Sequence, residues 1–306
     1  MAELGLLDSQ RTAVALGKFD AMHLGHQKLI STLVQRAQVN NLLPVVLTFS
    51  NHPNNVLAPE QVPEPVLGPN QRATLFAELG VAAVVSLEFD SALAKLSAES
   101  FVRRNLATDL RASIVVVGEG HRFGAGGLGT DNLLHHLGSD LGFDCITVAP
   151  VIIGGEPAST TRVRQSLQLG EVAAAAELLG RNHQTSGIVE RGRQWGRRLG
   201  FPTANLARNS EGMLPADGIY AGWLWVEGER MPAAHSVGTN DTVGAVPRLV
   251  ESHVLGRNDL DLYGLRVTVE YVDRIRVWQK FESTDELIAQ IGTDVANCEQ
   301  ILKGIS

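Results

Sequence analysis

The sequence predicts an α/β fold with a parallel sheet in its first half, followed by a small antiparallel β-barrel or sandwich that ends in a helix. Three observations support this prediction. The length of 306 residues fits two domains at about 150 residues each. Before about residue 183, short apolar runs alternate with stretches of helical periodicity. After that point, short strand-like runs are separated by Gly, Asn and Asp. We therefore expect one domain over residues 1–183 and another over residues 184–306.

The strands of the first half are predicted from apolar, β-branched runs of the length that buried strands have. These runs lie at Thr12–Leu16, 44–49, 82–87, 113–117 and 145–151. Strands that alternate with helices favour a parallel sheet with right-handed crossovers. Such a sheet binds its ligands at the carboxyl ends of the strands.

The helices between them are predicted from apolar residues that recur on one face. In 27–38 that stripe consists of Leu29, Ile30, Leu33, Val34 and Ala37. Further helices are expected over 96–110, over Asp131–Leu141 and, as one or two helices, over 162–181.

The second half contains short apolar runs with turn residues between them. The clearest runs are 188–189, Gly218–Val226, 248–255 and 265–271. A final amphipathic helix is expected over 284–302.

Composition excludes several classes of protein. With 44% hydrophobic and 19% charged residues the chain is neither a disordered tail nor a fibrous protein. The 26 basic and 33 acidic residues give a net charge of −7, which argues against a general nucleic-acid coat. Cys145 and Cys298 form no disulfide or zinc-binding pattern, which indicates a reducing compartment. Neither a signal peptide nor a membrane-spanning run is visible, so we expect a cytoplasmic protein.

The first candidate site follows the first predicted strand and opens the first helix. His23 and His26 stand three residues apart and share one face of the helix start. Gly25 between them lets a ligand approach the backbone, and a helix N-terminus favours anions. The segment therefore predicts a nucleoside triphosphate site in which the histidines donate hydrogen bonds to the α-phosphate. The alternative is a pair of surface histidines at a helix start.

Two other segments fit a phosphate site at the same end of the sheet. Ser159 and Thr160 can cap a helix, and Arg162 and Arg164 can bind phosphates through paired hydrogen bonds. The alternative is a capped helix with exposed arginines. The segment 118–129 contains six glycines and predicts a loop after the fourth strand.

The second candidate site lies just after the predicted domain boundary. Glycines at 187, 192, 196 and 200 allow backbone N–H groups to face a phosphate. Thr203 and Asn205 lie two residues apart on one side of an extended strand, and oxygen ligands of this kind suit Mg²⁺. The alternatives are an RNA-binding loop with Trp195 as a stacking platform and a solvated charged loop.

The order of the motifs resembles a known family. The string GxFDxxHxGH, then TFxxHP, RFG and STTRVR, resembles the N-terminal half of bacterial bifunctional riboflavin kinase/FMN adenylyltransferases. The later strings GRxLGFPTANL, LPxxGVY (here LPADGIY), GTN, VExH, DLYG and QKF resemble the riboflavin kinase half. The resemblance covers nearly the whole chain. It implies a Rossmann-like HxGH nucleotidyltransferase domain followed by a small antiparallel β-barrel kinase domain with a C-terminal helix.

The resemblance also implies two reactions. In the first half, the phosphate of FMN attacks the α-phosphate of ATP and pyrophosphate leaves, without a covalent enzyme intermediate. In the second half, a ribityl hydroxyl of riboflavin attacks the γ-phosphate of ATP, with Glu251 as the general base. The implied substrates are riboflavin, FMN and ATP, with Mg²⁺ as cofactor and with no nucleic-acid or membrane partner.

Site residues are implied in the same way. The implied ATP contacts for adenylylation are Gly17, Phe19, Asp20, His23, His26, Ser159, Thr160 and Arg162. The implied ATP contacts for the kinase are Gly187, Gly192, Gly196, Arg197, Gly200, Thr203 and Asn205. Thr203 and Asn205 are implied to bind Mg²⁺, and His52 and Asn240 to bind the flavin.

The chain departs from the family pattern at several positions. In the first half these are Ala21 in place of a glycine, Ser50 and Asn51 before the His-Pro pair, and Gly120 and His121 before RFG. A second hypothesis is therefore a riboflavin kinase with an impaired or inactive adenylyltransferase half. A third is a flavin- or RNA-binding regulator without turnover.

Overall fold

The structure, a computed structural model, describes residues 10–192, 196, 199–239 and 248–305. These residues form two compact units. The first unit contains the described residues up to Glu64 together with Pro69–Ala158. The second contains Pro65–Gly68 and the described residues from Ser159 onward.

The first unit is built on a five-stranded parallel sheet. Its strands are β1 (Thr12–Leu16), β2 (Leu43–Phe49), β3 (Ala83–Leu87), β4 (Ala112–Gly118) and β5 (Asp144–Val148). Their order in the sheet is β3-β2-β1-β4-β5, so the direction of winding reverses between β1 and β4. The carboxyl ends of strands at such a reversal border a ligand crevice. The predicted α/β architecture is confirmed.

Helices cover this sheet. They are α1 (Leu24–Val39), α2 (Asn54–Leu57), α3 (Pro69–Glu78), α4 (Ser91–Lys95), α5 (Ala98–Phe101) and α6 (Asp131–Leu141). A short hairpin follows β5, formed by β6 (Ile152–Ile153) and β7 (Glu156–Pro157). The predicted stripe of α1 buries Leu29, Ile30, Leu33 and Ala37.

The predicted helix over 96–110 is not one regular helix. It consists of α5 followed by a π-helical segment, Val102–Asp109. Asn105 is buried there, and its side-chain amide donates to the carbonyl of Phe101 at 3.1 Å. That carbonyl is the one an α-helix would offer to the backbone N–H of Asn105, and the side-chain bond competes for it.

The second unit is a closed antiparallel barrel, which decides between the barrel and the sandwich that the sequence left open. Its strands are β8 (His183–Glu190), β9 (Ala204–Leu206), β10 (Gly218–Val226), β11 (Glu229–Gly238), β12 (Leu249–Val254) and β13 (Arg266–Val277). Their order around the barrel is β10-β11-β12-β9-β8-β13.

Three helices complete this unit: α7 (Thr160–Leu169), α8 (Val172–Leu179) and α9 (Thr284–Lys303). Gly170 has a φ of +78° and ends α7, so the segment 162–181 is two helices. The apolar face of α8 contacts β8 and β13. The compact units thus divide at Ala158. The boundary between 183 and 184 stays a prediction for the division between the two catalytic regions.

Candidate active sites

The first candidate site is formed by the loop between β1 and α1. Phe19 and Met22 are fully buried and have left-handed φ values of 52° and 48°. This backbone is strained for residues other than glycine, and such strain is concentrated at functional sites. A side chain at Gly17 would lie 2.8 Å from the ring of Phe19, so this position requires glycine.

The two predicted histidines lie together at the start of α1. His23 is the N-cap, and its Nδ1 accepts a hydrogen bond from the N–H of Gly25 at 3.2 Å. The rings of His23 and His26 stack with centroids 3.8 Å apart, and Phe19 contacts His26 edge-on at 5.1 Å. A side chain at Gly25 would lie 3.0 Å from the His23 ring, which explains the glycine between them.

Burial controls the charge of this pair. It lowers the pKa of His23 to about 4. It lowers the pKa of His26 well below its ordinary value, and the neighbouring His23 adds to that shift. Both imidazoles are therefore neutral at neutral pH. His26 Nδ1 is buried and has no hydrogen-bond partner among the described residues, and a buried polar atom left in this way is unusual enough to mark a functional site.

Two departures from the family pattern fit this backbone without strain. Ala21 is fully buried, and its φ lies outside the left-handed region, so a methyl group is tolerated where the family usually has glycine. The side chain of Asn51 accepts from the N–H of Phe89 at 2.7 Å and donates to its carbonyl at 3.0 Å. Asn51 thereby fixes the loop that presents His52. Neither residue favours an impaired first half.

His52 lies at the carboxyl end of β2, the strand next to β1. Its Nδ1 accepts from the N–H of Asn54 at 3.0 Å, and its Nε2 lies 3.2 Å from Nζ of Lys18. The sequence reasoning missed Lys18, although this residue lies inside the first motif. Lys18 and His52 are 34 positions apart in the sequence, so their contact can be seen only in the folded chain.

The glycine-rich loop follows β4, as predicted. Phe123 and Gly129 exchange backbone hydrogen bonds of 3.2 and 2.8 Å, which close the loop. Gly124 has a φ of +70°, and a side chain there would lie 2.5 Å from the Cα of Ala98. Gly120 also has a positive φ, and the ring of His121 stacks on Phe123.

The predicted phosphate contacts after β7 open helix α7 of the second unit. Ser159 is the N-cap, and its Oγ accepts from the N–H of Arg162 at 3.3 Å. Thr160 begins the helix. The roles of these three residues in binding ATP stay predictions.

The second candidate site is formed around β9. The side-chain amide of Asn205 donates to Thr203 Oγ1 at 3.4 Å, so the two predicted magnesium ligands lie side by side. A side chain at Gly192 would lie 2.7 Å from Oδ1 of Asn205, and one at Gly196 would lie 3.3 Å from Thr203 Oγ1. The glycines therefore allow the backbone to pack closely against the two predicted ligands.

The other predicted kinase residues are placed differently. Gly187 lies within β8, where a side chain would contact Ser210, and it does not line the cleft described below. Gly200 has a φ of +86° and forms an open turn. Arg197 and Asn240 lie outside the described residues, as does Trp195.

Glu251 lies on β12 directly opposite Asn205 of β9. Asn205 also pairs with Glu190 of β8, so a carboxylate residue flanks it on each neighbouring strand. His253, two residues further along β12, has its Nδ1 2.9 Å from the carbonyl of Pro202, and its ring contacts Phe201 edge-on. This imidazole fixes the segment that presents Thr203. The sequence motif contained His253 but gave no reason to assign it this contact.

A cleft that is partly open to solvent adjoins Thr203 and Asn205. Gly192, Thr203 and Asn205 line one part of it, and the loop at 257–263 lines another. The guanidinium of Arg191, which follows β8, lies over the ring of Tyr263 in that loop, 5.4 Å from the ring centroid. Its lining combines side-chain oxygens with apolar and aromatic residues, as the lining of small-molecule sites does.

Thr203 and Asn205 fit a magnesium ion that is shared with ATP phosphates, because Mg²⁺ prefers oxygen ligands and keeps few from the protein. Among the described residues there is no group of three or more His, Cys, Asp or Glu side chains that could bind a metal without a substrate. In the same part of the chain, no helix is both long and apolar enough to cross a membrane.

Two family models match this chain. The FAD synthetase model matches residues 7–162, and the riboflavin kinase model matches residues 179–302. The first match includes the residues of the first candidate site, and the second match includes those of the second candidate site.

Full-length relatives agree with these matches. A bifunctional riboflavin kinase/FMN adenylyltransferase of Escherichia coli (strain K12) is 35% identical over 282 residues, which are 92% of this chain and 90% of the relative. One of Bacillus subtilis (strain 168) is 31% identical, with coverages of 94% and 91%. A crystal structure from Streptococcus pneumoniae, titled a macrolide-efflux protein, has a TM-score of 0.86 at 33% identity, covering 94% of this chain and 93% of that one.

Proposed function

Because this chain belongs to the family of bifunctional riboflavin kinases/FMN adenylyltransferases, we propose that its two candidate sites are the two active sites of one enzyme. The enzyme uses ATP to phosphorylate riboflavin to FMN and then to adenylylate FMN to FAD. The first reaction belongs to the C-terminal half and the second to the N-terminal half.

We assign the adenylylation chemistry to His23 and His26. A phosphate oxygen of FMN forms a bond to the α-phosphorus of ATP, the bond to the β-phosphate oxygen breaks, and pyrophosphate leaves. The neutral, buried imidazoles donate N–H bonds to the charge that develops on the α-phosphate. Their stacking fixes them before the substrate arrives, so little reorganisation is needed. The observation that supports this assignment best is the stacked His23–His26 pair at the start of α1, in which Nδ1 of His26 has no hydrogen-bond partner among the described residues.

Glu251 is assigned as the general base of the kinase. It accepts the proton of the ribityl hydroxyl as that oxygen attacks the γ-phosphorus, and ADP leaves. Its place opposite Asn205 supports this role, because the predicted magnesium ligand and the base then stand on adjacent strands. Magnesium, when bound with ATP at Thr203 and Asn205, would supply charge neutralisation on the phosphates.

A location in the cytoplasm is part of the proposal. The use of ATP and the two free thiols, Cys145 and Cys298, support it.

The assignment is tested by supplying riboflavin, ATP and Mg²⁺ and separating the flavins by chromatography. We expect FMN to appear first and FAD afterwards. Removal of Mg²⁺ by a chelator should stop FMN formation. A second sample that receives FMN in place of riboflavin tests the adenylyltransferase alone. FMN without FAD in both samples would leave a kinase with an inactive first half, and absence of both products would contradict the proposal.

A further inference from the structure

A lysine and a histidine from neighbouring loops meet at the edge of the first active site. Lys18 lies between Gly17 and Phe19, after β1, and His52 follows β2. Their Nζ and Nε2 atoms are 3.2 Å apart. Both loops are at the carboxyl ends of paired strands, which is the ligand-binding edge of this sheet.

The hydrogen-bond partners of His52 determine which ring nitrogen has the proton. A neutral imidazole has one N–H donor and one acceptor nitrogen. Nδ1 accepts from the N–H of Asn54, so the proton is on Nε2. The ammonium of Lys18 has donors only. Two donors therefore converge at 3.2 Å, and an oxyanion placed beside both would accept a hydrogen bond from each.

The backbone at Lys18 and the loop before His52 are held in place by hydrogen bonds to other residues. The carbonyl of Lys18 accepts from Thr48 Oγ1 at 3.3 Å and from the guanidinium of Arg72 at 3.3 Å. Asn51 anchors the loop before His52 through its two bonds to Phe89. Arg72 also adds positive charge beside this loop. The backbone of both loops is thus held in place before an anion binds, which lowers the entropic cost of binding.

We propose that Lys18 and His52 bind the phosphate group of FMN in the adenylyltransferase site. This inference rests on the proposed function. Both substrates contain phosphate, and the separate KM values for FMN and for ATP distinguish which of the two the pair binds. FMN differs from riboflavin only by its phosphate. The pair therefore gives the first site a means to select FMN over riboflavin, and it orients the phosphate whose oxygen attacks ATP.

The first test replaces Lys18 with Met, which keeps the length of the side chain and removes its donors. We expect the KM for FMN in FAD formation to rise about tenfold to a hundredfold, because a hydrogen bond to a charged group is lost. The KM for ATP should stay unchanged, and Lys18→Arg should restore most of the affinity for FMN. Lys95→Met is the matched control, because Lys95 is an exposed lysine at the end of α4 in the same unit.

A competition experiment provides a readout that does not depend on the rate of adenylylation. Inorganic phosphate should compete with FMN in the wild-type enzyme and much less in Lys18→Met. His52→Phe should also raise the KM for FMN. The fold-increase in the KM for FMN should be no larger in the double variant than the product of the two single fold-increases, because both side chains bind one group.

The proposal is overturned if Lys18→Met leaves the KM for FMN unchanged, or if it raises the KM for ATP instead. Circular dichroism and thermal unfolding of the same preparation show whether the first unit of the variant, which contains Lys18, is folded. FAD formation by the wild-type enzyme must be present, since its absence would contradict the proposed function and not the role of Lys18.

Discussion

At the residue scale, His26 and Asn205 belong to different units, and each is packed against a residue of its own site. His26 stacks on His23, and Asn205 lies beside Thr203. Neither contact involves the other site. The two reactions should therefore respond separately to substitution of these two residues.

His26→Ala is expected to lower FAD formation from supplied FMN about a hundredfold, because a buried donor to the transition state is lost. FMN formation should change little. Asn205→Ala should do the reverse, with kinase kcat/KM lowered about tenfold or more through weaker binding of Mg²⁺–ATP. Both rates are measured on one preparation of each variant. His136→Ala, an exposed histidine of α6, is the control. Equal damage to both reactions by each change in a folded protein would argue against separate sites.

His253 is expected to act as a positioning residue in the kinase. His253→Ala removes the contact with the Pro202 carbonyl and the edge contact with Phe201, so the segment before Thr203 loosens. We expect the kinase KM for ATP to rise about tenfold, with a smaller change in kcat. His253→Asn, which keeps a side-chain donor, should recover part of the loss. An unchanged KM in His253→Ala would show that Pro202 needs no such support.

At the element scale, helix α7 begins at the predicted phosphate-binding residues and ends in contact with the barrel. Its N-terminus presents Ser159, Thr160 and Arg162. Its C-terminal carbonyl, that of Leu169, accepts from Nη1 of Arg274 on β13 at 2.9 Å. Arginine near a helix C-terminus satisfies exposed carbonyls and interacts favourably with the helix dipole.

Arg274→Met should therefore loosen α7. The expected result is a higher KM for ATP in FAD formation, about threefold to tenfold if one charged hydrogen bond is lost. The KM for ATP in FMN formation should rise less. Thermal unfolding of the same variant separates this effect from general destabilisation. If the two KM values rise equally, α7 does not contribute specifically to adenylylation.

The elements that were predicted well have local sequence signals. The stripe of α1 and the apolar run of β1 need only the period of the helix or strand. Strand β11 was missed, because Met231-Pro232-Ala233-Ala234 has few β-branched residues. Its pairing with β10 and β12 decides that it is a strand. The π-helical segment at Val102–Asp109 was missed, because the bond from the buried Asn105 side chain to the carbonyl of Phe101 leaves no signal in helical periodicity.

At the scale of the whole molecule, buried histidines make stability depend on pH. Burial lowers the pKa of His235 to about 3 and that of His183 to about 4, against 6.5 in the unfolded chain. At a pH between the lowered pKa and 6.5, the unfolded chain binds more protons than the folded chain. The free energy of unfolding therefore falls as the pH drops below about 6.5.

Each of these histidines should lower the free energy of unfolding by about 2 kcal/mol when the pH falls from about 7 to about 5. The check is the unfolding temperature of the intact enzyme at the two pH values and constant ionic strength. His183→Gln can keep a donor for the carbonyl of Met213 and removes the titration, so its loss on acidification should be smaller. An equal unfolding temperature at both pH values contradicts the prediction.

The extent of the second unit can be tested with fragments. Val172, Ala175, Leu178 and Leu179 of α8 are buried, so a fragment that begins at residue 184 exposes the barrel surface under α8. We expect the fragment 159–306 to fold and to phosphorylate riboflavin, and the fragment 184–306 to be much less stable. Circular dichroism and kinase activity provide the comparison. Equal stability would favour the boundary predicted from the sequence.

The sequence by itself determined the two halves and the order of their motifs, and it predicted the residues of each site. Helix and strand periods, glycines next to ligand-binding residues and oxygen or nitrogen side chains are all local properties of the chain. Only the tertiary structure decided that the barrel is closed, that Glu251 lies opposite Asn205, and that Lys18 meets His52. The reason is that strand register and loop anchoring bring together residues tens of positions apart, and no local pattern specifies that pairing.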